Sequence, residues 1–143
     1  MRKLITFYQA ARLSLILFGL IMLFHLAVII GIVLLDYVPM DFLWGGRMES
    51  RGQLLGFEIL SLLVTLLCFL AVLIRAERIP IPALMGVSRV ILWILFFLFV
   101  VNTIGNLVAK TTFEKVFSLV TAVLSLLCLR LALEPTNRES PRH

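Results

Sequence analysis

Residues 13–35, LSLILFGLIMLFHLAVIIGIVLL, are 23 consecutive positions without a formal charge. A helix needs roughly 20 apolar residues to cross the hydrocarbon core of a bilayer, so this stretch alone makes lipid the solvent to reason from. Further long apolar runs follow, and across 143 residues 62% are hydrophobic and 15% charged, with a mean hydropathy of +1.10. Too few polar side chains remain to cover a water-soluble globule of this size. Disordered chains, disulfide scaffolds and nucleic-acid modules are excluded on the same ground, since none carries several long Leu/Ile/Phe/Val runs. Met1-Arg2-Lys3 resembles the basic start of a signal peptide, but the apolar run is too long, Arg12 interrupts its approach and no A-x-A site follows. A retained first span over 13–35 is expected.

Helix punctuation sets the remaining boundaries. Asp36-Tyr37-Val38-Pro39 ends the first span, because proline removes a backbone donor and biases its predecessor away from helix. Ser50-Arg51-Gly52-Gln53 fits a capping box, so a second span is expected over about 53–75. Pro82 suits the first position of a third helix, placed over about 83–109. Thr111 and Glu114 offer another capping box, which opens a fourth over about 112–134. Lys115 and Arg130 stand only about 22 Å apart along that last helix, so both are expected to snorkel toward the interfaces. The expected fold is an all-α integral membrane four-helix bundle of two antiparallel helical hairpins, one domain over 1–135, with a polar tail over 136–143.

Lysines and arginines divide unequally between the two ends of these spans. Arg2, Lys3, Arg12, Arg75, Arg78, Arg89, Arg130, Arg138 and Arg142 fall on one side, and Arg47, Arg51, Lys110 and Lys115 on the other. The positive-inside rule then puts both termini in the cytoplasm. The overall charge of +5 reads as orientation and attraction to anionic lipid, not as a nucleic-acid footprint.

The polar residues inside the spans are the candidate functional groups. Glu58 is the outstanding one, since a carboxylate in a span is costly to bury and is usually partnered or functional. At similar depth lie Asn102, Asn106 and Lys110 at i, i+4 and i+8 on the third helix, with Arg47 in the outer loop. These five form the candidate ligand-binding set, read either as a structural knot around Glu58 or as a small-ligand or ion site. Trp44, ahead of Gly45 and Gly46, reads as an interfacial anchor at headgroup level. His25 lies mid-span, either hydrogen-bonded as a neutral ring or acting as a proton relay or haem ligand. His25, His143, Cys68 and Cys128 are too few and too scattered for a zinc site, and no C-x-x-C occurs. No metal, cofactor or catalytic residue is assigned.

Two segments share a pattern. FEILSLLVTLLC from Phe57 and FSLVTAVLSLLC from Phe117 align at an offset of 60 residues. Each sets small or polar side chains on one helical stripe: Glu58, Ser61, Thr65 and Cys68 in the first, Ser118, Thr121, Ser125 and Cys128 in the second. Such a stripe reads as a packing seam, where small and hydroxyl residues let membrane helices approach and bond across the contact. A polar pathway, or an internal duplication, is the alternative.

Asp41-Phe-Leu-Trp-Gly-Gly-Arg47, Asn102-Thr-Ile-Gly-Asn106 and Ala109-Lys-Thr-Thr-Phe-Glu-Lys115 together resemble a group of small uncharacterised bacterial four-span membrane proteins. The resemblance implies a bacterial inner membrane and no particular activity. The sequence thus points to a non-catalytic interaction or accessory membrane subunit, with the bilayer, a second copy or another membrane protein as partner and nucleic acid excluded. A small ion- or proton-coupled transporter is the alternative.

Overall fold

A computed structural model describes residues 5–41, 43–109 and 111–135. The described chain is helical, in the order α1 (Phe7–Leu34), α2 (Arg51–Arg75), α3 (Met85–Leu107) and α4 (Thr112–Ala132), with short 3-10 turns at Trp44–Gly46 and Pro82–Leu84. All four helices are long and apolar enough to cross a membrane.

α1 starts six residues before the span expected from hydropathy. Thr6 and Gln9 close a reciprocal capping box: the Thr6 hydroxyl accepts from the Gln9 amide at 3.2 Å, and the Gln9 side chain accepts from the Thr6 amide at 3.0 Å. The T-x-x-Q signature outweighs the charge at Arg12, which stays exposed on the helix surface. Ser50 and Thr111 cap α2 and α4 as expected, each accepting from the amide three residues on. The box at Ser50 is half-formed, because the Gln53 side chain takes the Glu49 amide instead.

Helix ends use the left-handed region where it shortens the turn. After α2, Glu77 sits at φ 57°, its amide returns to the Ile74 carbonyl, and the Arg78 amide returns to the Leu73 carbonyl. This is a Schellman ending with glutamate where glycine is usual. It folds Arg78 back over the end of α2. After α1, Asp36 at φ 53° turns the chain so that the Tyr37 amide reaches Gly31.

α3 packs most extensively against α4, and α1 against α2, with smaller α2/α3 and α1/α4 contacts. The main core gathers Phe18, Leu92, Leu95, Leu124, Leu127 and Leu131, and a smaller one holds Ile32, Leu43 and Leu54 beneath the 36–50 loop. α4 is half buried over its most apolar window, against 17–28% for the others. That burial explains its weaker hydropathy: a helix facing the bundle needs less apolar surface than one facing lipid.

Arg130 departs from the sequence expectation. It does not snorkel; at 4% exposure its Nε donates to the Ile5 carbonyl at 3.1 Å and its Nη1 to Glu134 at 2.7 Å. The 21 residues of α4 cover about 31 Å by helical rise, so no extra reach is required. Arg75 donates to the Leu131 and Glu134 carbonyls, and Arg89 to the Ala132 carbonyl at 3.0 Å. Arginines from the end of α2 and the start of α3 thus bind the last carbonyls of α4, which have no intrahelical donors and carry the negative end of the helix dipole.

Candidate ligand cleft

Glu58 lies seven residues into α2 and His25 nine residues before the end of α1, so the loop joining the helices brings them to one level. Glu58 is 1% exposed and accepts two hydrogen bonds. Its Oε2 accepts from His25 Nδ1 at 2.7 Å, and its Oε1 accepts from the Trp44 indole N–H at 2.9 Å. A carboxylate has about four acceptor positions, so two remain after these bonds.

Trp44 reaches Glu58 from an unfavourable backbone. Its φ of 55° is unusual for a bulky residue and costs of order 1–3 kcal/mol, a strain that persists only where surrounding contacts fix it. The contacts here are the bond to Glu58 and a ring contact with Phe57 at 5.2 Å. Gly46, at φ 65°, completes the turn. Trp44 thus closes over the carboxylate.

Beneath these residues is a cleft of about 400 Å³, within the range of pockets that hold small molecules. The whole α2 stripe lines it, Glu58, Ser61, Thr65 and Cys68. From α3 come Asn102 and Asn106, and from α4 Glu114 and Thr121. Exposed Leu60, Val64 and Leu98 also line it, which opens it sideways between α2 and α3, where the helices touch less. Phe24 and Phe113 stack at 5.9 Å along its wall, and Phe117 lies 6.1 Å from Phe113. Among the described residues, its only carboxylates are Glu58 and Glu114, and no lysine or arginine lines it.

Of the five ligand-site candidates, three line this cleft: Glu58, Asn102 and Asn106. The asparagines share the cavity without bonding to Glu58. Arg47 is exposed outside the cleft, with no bond to Glu58 among the described residues, and Lys110 lies outside the described residues. The bonds to Glu58 among the described residues come from His25 and Trp44, and Arg47 is not one of its partners. The reason is local: His25 sits on the helix packed against α2, whereas Arg47 follows a turn that points Trp44 inward and leaves the arginine at the surface. Residue counting from the α1/α2 loop, nine back and seven forward, was the signal that pairs His25 with Glu58. Glu114 was read only as a helix cap, and it keeps that part through a 2.9 Å bond from the Thr111 hydroxyl.

The two stripes have different surroundings. All four α4 stripe residues are buried, and only Thr121 lines the cleft. The hydroxyls bond mainly within their own helices, Thr65 to the Ser61 carbonyl and Ser125 to the Ala122 carbonyl, both at 2.7 Å. The cross-helix bond they make runs from Thr103 to Thr121 at 2.9 Å.

Among the described residues, no three His, Cys, Asp or Glu side chains gather as a metal-ligand set. Comparison with family models, curated proteins and solved structures finds no match to this chain.

Proposed function

We propose that this is a non-catalytic integral protein of a bacterial inner membrane, built of two antiparallel helical hairpins with both termini cytoplasmic, that holds a cationic amphiphile in the α2/α3 cleft and serves as an interaction or accessory subunit. The observation that carries the reading is the make-up of the cleft: two carboxylates and no lysine or arginine among the described lining residues, in a chain whose overall charge is +5. The Glu58 carboxylate can pair by charge with an alkylammonium head, and aromatic faces such as Phe113 and Trp44 favour a desolvated cation by about 2 kcal/mol or more. The aliphatic mouth at Leu60, Val64 and Leu98 suits an alkyl tail arriving from the lipid side. Orientation is supported by the uneven division of lysine and arginine.

The test is titration of the protein in lipid nanodiscs with dodecyltrimethylammonium, read by tryptophan fluorescence, beside 1-dodecanol and dodecyl sulfate. Saturable binding of the cation, weakened about tenfold or more by Glu58→Gln, is the expected result. Equal binding of the alcohol, or indifference to Glu58→Gln, overturns it. Topology is checked separately by thiol labelling: Met48→Cys is expected to react only from outside and Glu77→Cys only from inside.

A second reading, proton-coupled transport of the same amphiphile, is favoured by the His25–Glu58 pair, whose two titratable groups share one hydrogen bond beside the cleft. In reconstituted liposomes, uptake that follows an imposed pH gradient and fails in His25→Gln would promote it. Uptake absent in both proteins would leave binding alone.

A further inference from the structure

A second cavity, of about 240 Å³, lies away from the cleft, at the end where the start of α1 meets the end of α2. Arg12 and Arg78 line it with Tyr8, and Leu15, Ile16 and Phe69 continue its wall along the helices. The other three described arginines near this end, Arg75, Arg89 and Arg130, are engaged with carbonyls or with Glu134. Arg12 and Arg78 are exposed and make no such bond among the described residues.

We infer that this cavity binds the headgroup of an anionic phospholipid, with its phosphate held between Arg12 and Arg78. Each guanidinium presents planar paired donors that match phosphate oxygens, and the two face one cavity from different elements. Arg78 is held there by the Schellman turn at Glu77, which folds it back over α2. The cavity is smaller than the roughly 300–1,000 Å³ of pockets that enclose whole drug-sized ligands. It therefore fits a headgroup and the top of a chain, while Leu15 and Ile16, one turn along α1 from Arg12, guide the acyl chain into the hydrocarbon. A free anion would need the arginines alone; the apolar wall below them is what selects a lipid.

Native mass spectrometry of the detergent-solubilised protein, titrated with phosphatidylglycerol or with phosphatidylcholine of the same chains, tests this site independently of the cleft. One phosphatidylglycerol is expected to be retained about tenfold more tightly than phosphatidylcholine, and Arg12→Gln with Arg78→Gln to abolish that preference. Ile16→Trp, which fills the wall and leaves both charges, is expected to weaken retention of the same lipid, and millimolar inorganic phosphate is expected not to displace it. Equal retention of the two lipids, an unaltered preference in the double variant, unaltered retention in Ile16→Trp, or displacement by phosphate each overturns the assignment. Unchanged dodecyltrimethylammonium binding in the double variant shows that the bundle is intact. Should that binding also be lost, Arg12→Lys with Arg78→Lys decides: a retained preference for phosphatidylglycerol upholds the site, and a lost preference overturns it.

Discussion

Glu58, Ser61, Thr65 and Cys68 on α2 and Ser118, Thr121, Ser125 and Cys128 on α4 occupy equivalent places in two segments 60 residues apart, yet all four of the first line the cleft and only Thr121 of the second does. The pattern of small and polar residues is common to both, so it does not by itself make a pathway. What differs is the neighbour: α4 packs far more extensively against α3 than α2 does. Glu58 contributes to the difference, because a buried carboxylate must be met by donors, and His25 and the strained Trp44 are gathered around it where Ser118 needs only the Lys115 carbonyl of its own helix.

The sharpest way to break the contrast is at Glu58 itself. Glu58→Leu leaves the buried side of His25 and the Trp44 indole without their acceptor and should cost about 2–3 kcal/mol, from the penalty of an unmet buried donor. The equivalent Ser118→Ala should cost well under 1 kcal/mol, since one local bond is lost and no partner side chain is orphaned. Thermal unfolding in the same detergent compares the two, and equal losses would dissolve the distinction.

Leucine at the matched positions Thr65 and Ser125 separates the surroundings next. Ser125→Leu overpacks a buried contact and should destabilise by about 1–3 kcal/mol. Thr65→Leu extends into open volume, so stability should hold while dodecyltrimethylammonium binding falls. If Thr65→Leu destabilises as much as Ser125→Leu, the cleft is not open at that level.

The smallest expected effect is at the cross-helix bond. Thr121→Val removes the partner of Thr103 and should cost about 0.6 kcal/mol, the average for hydrogen bonds between membrane helices. Ser61→Ala, its counterpart on α2, should be close to neutral. A larger loss at Ser61 than at Thr121 would reverse the assignment of cleft and seam.

Residue pattern alone determined the four spans, the caps at Ser50 and Thr111 and the singular position of Glu58, because each follows from local chemistry: continuous apolar length, a side-chain oxygen three residues from an amide, a carboxylate in an apolar run. The same local rule holds at Thr6 and Gln9, where the capping box carries α1 past the charge at Arg12. Only the tertiary structure decided who meets Glu58. Arg47 and Trp44 are three residues apart, and the left-handed backbone at Trp44 and Gly46 sends the indole inward and leaves the guanidinium outside. It likewise turned Arg130 from a snorkelling residue into a buried donor, since packing brings the Ile5 carbonyl ahead of α1 within its reach while Glu134 takes its other end. Composition counts charges, but whether a charge faces lipid, a cavity or a helix end depends on which helices stand beside it, and that is set by contacts between residues far apart in the chain.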